Sequence, residues 1–199
     1  MKLVWPAAKY LDGYRRALEQ GWSPDNLRLE AAQEELERIA EDPVRFLDEQ
    51  IDREAKGPRV ILPDGRTVPR LPGYKQWMWD GDFCGLINFR WQPGTTELPP
   101  HCLGHIGYAV VPWKRGRGYA TLALKLFLPQ AAREGLPYVE IVTETSNLAS
   151  RRVIEANRGE LIERFRKEEY GDSERLSYRI VLEPAVRIDG EEHENSRIC

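Results

Sequence analysis

Between residues 103 and 134 the chain passes from a strand, 103–111, through a short glycine-rich turn into a helix, 119–134, that Gly135 ends. The helix carries Leu122, Ala123, Leu126 and Phe127 on its apolar side. A second strand, 138–142, and a second helix, 148–157, follow, and 161–166 with 176–182 read as a closing antiparallel pair. Strand, helix and strand in that order call for a sheet with helices laid on it, so this half of the chain is α/β. Only one such unit is visible, short of the tandem that a dinucleotide-binding fold needs.

The first 57 residues have helical periodicity instead. Tyr10, Tyr14, Ala17 and Leu18 recur at spacings of three and four before Gly21. Ser23-Pro24 has the form of an N-cap followed by proline at the first helical position, and predicts a helix carrying Leu27, Ala31, Leu36, Ile39 and Ala40. Asp42-Pro43 opens a third helix with Val44, Phe46, Leu47 and Ile51 apolar, which Lys56-Gly57-Pro58 ends. The period then changes to two. Residues 60–62 and 67–68 around Pro63-Asp64-Gly65 predict a small hairpin, and Asp80-Gly81 joins 74–79 to 82–91. In the latter strand Phe83, Gly85, Ile87, Phe89 and Trp91 share one face. The proline-rich residues 92–102 read as a loop. The division is a helical segment, 1–57, packed on a main domain, 58–182, with a polar tail, 183–199.

Composition narrows the class. With 41% apolar and 31% charged residues, a chain of 199 residues can build one core under a solvated surface. A net charge of −3 argues against a partner held by its phosphate backbone, so no nucleic acid is expected. No membrane span is expected, because no run of about 18 apolar residues occurs. The first residues lack the apolar stretch of a signal peptide. Cys84, Cys102 and Cys199 are odd in number and form no CxxC pair. That argues against a disulfide framework or a metal site, and fits a reducing cytoplasm.

The turn carries the chemistry. Lys114, Arg115 and Arg117 surround Gly116 and Gly118 between a strand and a helix start. Glycines there let successive backbone N–H groups face one concavity, and the helix adds its own free N–H groups and positive dipole end. The product is a site for a diphosphate. A Walker A loop is absent, and the dinucleotide fingerprint GxGxxG fails at Thr121. The pattern R/Q-x-x-G-x-G/A is matched in full by Arg115-Gly116-Arg117-Gly118-Tyr119-Ala120.

That turn, in GHIGYAVVPWKRGRGYATLAL followed by YVEIVTETSNLASRRVIEANRGELIERF, resembles the GNAT N-acetyltransferases, most of all the RimJ/RimL-like bacterial predicted acetyltransferases. The whole chain, including LPGYKQWMWDGDFCGLINFRWQPG, is similar to a bacterial subgroup of these, and the motif match covers about residues 103–165. The resemblance implies a GNAT fold: a central mixed, mostly antiparallel twisted sheet flanked by helices, here with additional N-terminal helices. It implies acetyl-CoA as co-substrate, its pantetheine arm entering where the family's fourth and fifth strands splay. Tyr108, Ala109 and Val110 would lie along that arm. The N–H groups of Gly116, Arg117, Gly118, Tyr119, Ala120 and Thr121 would wrap the diphosphate, with Arg115 and Arg117 in reach of phosphate. Asn147 would contact the arm, and it is also a good helix N-cap. Ser150 would line the groove.

Transfer of an acetyl group to an amine needs a base for the amine's proton, donors for the developing oxyanion and an acid for the leaving thiolate. The position where many relatives carry a tyrosine acid falls here at Ile154; Tyr170 and Tyr178 are other hydroxyls. His105 and Glu144 are the candidate bases. Trp77, Trp79 and Trp91 form an aromatic group that is either sheet core or an acceptor pocket. The function implied is acetyl-CoA-dependent N-acetyltransfer to a primary amine, of a small molecule or a peptide, by direct attack in a ternary complex. A non-catalytic acyl-CoA-binding module, or a protein-interaction module on the same fold, is the alternative. Oligomeric state is left open, a homodimer included.

Overall fold

Two antiparallel sheets, joined at one end, set the architecture. The computed structural model describes residues 1–25, 28–62, 65–167 and 170–183. The tail expected over 183–199 lies outside these from residue 184 onward, as do Leu27, Pro63 and Asp64. The order is β1 (Lys2–Val4), α1 (Ala8–Glu19), α2 (Ala31–Glu41), α3 (Pro43–Asp48), β2 (Ile51–Asp52), β3 (Val60–Ile61), β4 (Thr67–Val68), β5 (Gly73–Trp79) and β6 (Phe83–Arg90). Then come β7 (Ile106–Val110), a 3-10 turn (Pro112–Lys114), α4 (Tyr119–Arg133), β8 (Tyr138–Glu144), α5 (Leu148–Glu155), β9 (Glu160–Phe165) and β10 (Arg175–Val181). The first sheet runs β1-β5-β6-β7, with β2 pairing the other half of the β5 edge that β1 occupies. The second runs β8-β10-β9, and β3 with β4 forms a separate hairpin. The central mixed sheet of the sequence reading is thus two antiparallel sheets with no ladder between β7 and β8 among the described residues.

One face of the first sheet carries the N-terminal helices. Tyr14, Ala17, Leu18, Ile39 and Phe46 pack there with Trp77, Phe83, Leu86, Ala109 and Val111. The other face meets α4 and α5. Ala123, Leu124, Phe127, Ala131 and Ile154 form one core with Met78, Ile87, Phe89 and Ile106 of the first sheet and with Val139, Ile141, Leu176 and Ile180 of the second. The two sheets therefore share a core although they do not share a ladder.

Four local expectations change. Ser23 does not cap a helix. Its hydroxyl donates to the carbonyls of Asp25 and Arg28 and takes the Asp25 N–H, closing a turn, and α2 starts only at Ala31. Asp42 does cap α3, accepting from the N–H groups of Val44 and Arg45, but that helix ends at Asp48 and Ile51 enters a strand. In α4 the inward residues are Ala123, Leu124, Phe127 and Ala131, while Leu122 and Leu126 are exposed. In β6 the pairing slips between Met78↔Gly85 and Trp79↔Phe83. The bulge sends Phe83 to the helical-layer face and Cys84, Ile87, Phe89 and Trp91 to the other. Gly85 sits there at φ +146°, and a Cβ would come within 2.2 Å of the Ala109 carbonyl oxygen, so only glycine fits.

Candidate active site

The space between β7 and β8 is fixed by a closed root. At Gly104, φ +74°, a Cβ would lie 2.8 Å from the Glu140 carbonyl oxygen, so the backbones touch there. Arg90 of β6 ties the same segment from the other side, donating from Nε to the Gly104 carbonyl (2.8 Å) and from Nη2 to that of Leu103 (2.7 Å). The His105 N–H then donates to the Glu140 carbonyl at 2.7 Å. The next rung is not made by backbone: the Glu140 N–H donates to His105 Nδ1 at 3.0 Å. A side chain has replaced a carbonyl, and the ladder stops. Beyond this point, among the described residues, no backbone hydrogen bond joins β7 to β8.

Past the root the two strands run without a ladder between them, and the turn of residues 115–118 lies exposed at the start of α4. Gly116 and Gly118 are left-handed, at φ +75° and +73°, conformations that cost other L-residues roughly 1–2 kcal/mol. A Cβ on either would meet nothing within 4 Å, so the cradle is open. The N–H groups of Gly116, Arg117, Gly118, Tyr119, Ala120 and Thr121, six in succession, donate to no acceptor among the described residues. The first α4 bond that closes on the turn is from Leu122 N–H to the Gly118 carbonyl. Arg115 folds back, its Nε donating to the Val110 carbonyl at 3.2 Å, and Arg117 is exposed.

A side-chain contact crosses the opening. The Tyr108 phenol of β7 lies 2.9 Å from Ser150 Oγ, in the first turn of α5, and 3.3 Å from the Ser150 carbonyl. Burial pushes the phenol up to about 12, against a smaller opposing effect of the Ser150 bond, so it stays protonated. Asn147 caps α5 by accepting the Ser150 N–H at 3.0 Å, which sets the position of the Ser150 hydroxyl.

The profile of the acetyltransferase (GNAT) domain matches residues 15–159. The chain belongs to the GNAT acetyltransferase family. It is accordingly an acetyl-CoA-dependent N-acetyltransferase. No relative was found among curated protein sequences. Solved structures share the fold. Microcin C7 self-immunity acetyltransferase MccE, in complex with acetyl-CoA and AMP, is 13% identical with a TM-score of 0.59, over 90% of this chain and 91% of that one. RimL, a ribosomal L7/L12 alpha-N-protein acetyltransferase in complex with coenzyme A, is 14% identical with a TM-score of 0.61, over 90% and 93%. An acetyl transferase from Salmonella typhimurium that modifies the N-terminal serine of 50S ribosomal protein L7/L12 is 15% identical with a TM-score of 0.60, over 91% and 94%.

The residues present fit the acetyl-CoA of this GNAT enzyme: six free amides, two glycines that leave the cradle open, and an unladdered β7 edge carrying Tyr108 and Val110. Other expected residues lie apart. His105 is 1% exposed, at the closed root rather than the mouth. Burial, first of all, pushes its ring down to about 4, with Glu140 pulling the other way, so the imidazole is neutral near pH 7. This position does not suit a base that must meet an acceptor from solvent. Glu144, at the end of β8, is partly exposed and lies 3.4 Å from Nη2 of the buried Arg175. Ile154 is wholly buried in the core. Tyr170 donates to the His101 carbonyl and Tyr178 to Glu155, so neither hydroxyl is in the opening. The tryptophans divide: Trp77 stacks on Tyr14 at 4.6 Å on the helical face, Trp79 lies under Tyr10, and Trp91 stacks on Phe89 on the opposite face. They are core, not one pocket.

Sequence reasoning missed the Tyr108–Ser150 pair, because no spacing rule relates residues 42 apart. Lys114, one of the three basic residues around the turn, has its ammonium held by Asp80 at 2.6 Å.

Proposed function

We propose that this enzyme transfers acetyl directly to a primary amine in a ternary complex, in a reducing cytoplasm where Cys84 and Cys102 stay free thiols. The observation that carries the reading is the run of six unpaired amides over residues 116–121, opening beside the end of β7. In this reading those amides, with Arg115 and Arg117, hold the diphosphate of coenzyme A. Tyr108, Ala109 and Val110 line one side of its arm, Asn147 and Ser150 the other. Acetyl-CoA supplies the activated acyl group. The chain's own part is to bind, orient and move protons. The Tyr108–Ser150 hydroxyl pair is the proton source at the mouth, in place of a tyrosine at Ile154. Glu144 receives the acceptor's ammonium and takes its proton, the Arg175 guanidinium keeping that carboxylate fixed. His105 holds the root and touches no reactant.

The acceptor class follows from chemistry alone: a primary amine small enough to enter, or the end of a peptide. The similar structures include an enzyme acting on a ribosomal protein N-terminus and a microcin self-immunity enzyme, so a useful panel holds both peptide and small-molecule amines. Calorimetric titration with acetyl-CoA, coenzyme A and NADH tests the cradle: the first two bind and the third does not. Gly118→Asp, which adds a side chain at φ +73° and a negative charge facing phosphate, abolishes binding of both. Unchanged affinity in that variant would overturn the assignment. Binding without turnover of any amine would leave an acyl-CoA-binding module.

A further inference from the structure

The turn has a brace that the sequence did not suggest. Asp80, at the tip of the β5–β6 hairpin, uses both carboxylate oxygens. Oδ1 accepts from Lys114 Nζ at 2.6 Å, and Oδ2 accepts from the Tyr119 hydroxyl at 2.7 Å. Lys114 is the last residue before the exposed turn of residues 115–118, and Tyr119 is the first after it. One carboxylate therefore grips both ends of the four-residue loop. The two side chains are themselves largely covered, that of Asp80 18% exposed and that of Lys114 12%, although the hairpin tip that carries Asp80 is at the surface. Lys114 Nζ also lies 3.6 Å from the buried Cys84 thiol, which sits above it on β6. Asp80 is in turn anchored in its own hairpin, its N–H donating to the Asp82 carbonyl and its Oδ1 accepting the Asp82 N–H. Burial raises the Asp80 carboxyl, and the bonds from Lys114 and Tyr119 outweigh it, holding the group well below the usual carboxylate range.

A negative charge next to a diphosphate site is unfavourable by itself. Its presence calls for a compensating task, and the geometry supplies one. The six amides can converge only if the backbone is held with both glycines left-handed, and among the described residues Asp80 is the side chain from outside the turn that bonds both of its ends, Cys84 reaching Lys114 alone. We propose that Asp80 is a positioning residue for acetyl-CoA: by clamping Lys114 and Tyr119 it preforms the phosphate-binding turn, and it consumes the Lys114 charge in doing so. The inference rests on the cradle reading above.

The sign of one substitution separates this role from plain electrostatics. Removing Asp80 deletes a repelling charge and frees a lysine, so electrostatics alone has Asp80→Ala bind acetyl-CoA more tightly. The brace has it bind about tenfold more weakly, the scale of one lost charge-assisted bond. The test measures steady-state kinetics and calorimetric affinity with two donors, acetyl-CoA and S-acetylpantetheine, which lacks the diphosphate. Wild type should prefer acetyl-CoA; if it does not, the cradle reading itself fails. Given that preference, Asp80→Ala should raise KM for acetyl-CoA while leaving KM for the amine and the rate with S-acetylpantetheine within about twofold. Asp80→Asn, which can still accept from Tyr119, should fall between. A preference for acetyl-CoA kept in full, or a tighter fit, would overturn the brace. If Asp80→Ala does not fold, Tyr119→Phe and Lys114→Met each cut one arm and should each raise the acetyl-CoA KM; no change in either sinks the proposal.

Discussion

Because His105 Nδ1 accepts the Glu140 N–H, the neutral ring carries its proton on Nε2, buried with the rest of the side chain. A second proton would have to go on Nδ1, displacing the Glu140 N–H, and would put a charge in the core. In an unfolded chain the ring titrates near 6.5, and in the folded protein at about 4. Between those values the unfolded state binds the extra proton, so stability is complete above about pH 6.5 and is lost as pH falls toward 4. The span amounts to roughly 3 kcal/mol at the acid end. His105→Asn keeps an oxygen for the Glu140 N–H and removes the titration. Urea midpoints between pH 7 and 4 should fall less steeply in that variant than in wild type. Its pH–rate profile should keep its shape near neutrality even if its amplitude drops, because the proposed mechanism places the base at Glu144. Loss of the neutral limb would return His105 to catalysis, and parallel stability curves would remove the buried-ring account.

At the scale of elements, α1 is fastened by aromatic packing. Tyr14 stacks on Trp77 with an interplanar angle of 8° and meets Phe83 and Trp22 edge-on. Its hydroxyl is bonded to Glu35 of α2, which also takes Lys75 of β5 at 3.3 Å. Trp77 is wholly buried, so Trp77→Ala should cost about 3–5 kcal/mol, read as a lowered urea midpoint. A loss under about 1 kcal/mol would mean that the helical layer is not held there. The period of α1, the turn at Asp80-Gly81 and the glycine cradle were all legible, because each depends on neighbours within a few residues. The rest was not. Ser23 offers the same hydroxyl to a helix end or to a turn, and the competing carbonyls of Asp25 and Arg28 decide. Period two in β6 cannot reveal the slip at Gly85, which answers to the closeness of Ala109 on another strand. Four apolar residues on α4 define two adjacent stripes, and only the sheet below selects the one with Ala123 and Phe127 over the one with Leu122 and Leu126.

Across the whole molecule, two sheets share one core but, among the described residues, meet by backbone hydrogen bonds only at the root, so the open side is where ligand energy can be read. Amides that lack partners exchange with solvent quickly, and a ligand that bonds them slows them without changing the fold. In the free protein, the amides of residues 116–121 and those of Tyr108 and Val110 on the unladdered β7 edge should exchange fast, while His105 and Glu140, bonded at the root, stay protected. Saturating acetyl-CoA should slow the first set and leave the root unchanged. NADH should slow neither. At a ligand concentration 100 times Kd, the folded state also gains about 2.7 kcal/mol, which appears as a raised melting temperature. Protection of residues 116–121 before any ligand is added would mean that those amides are already engaged, and protection by acetyl-CoA confined to another face would move the site. Slowing on the turn together with the unladdered edge of β7 is the pattern expected of a molecule entering the splay.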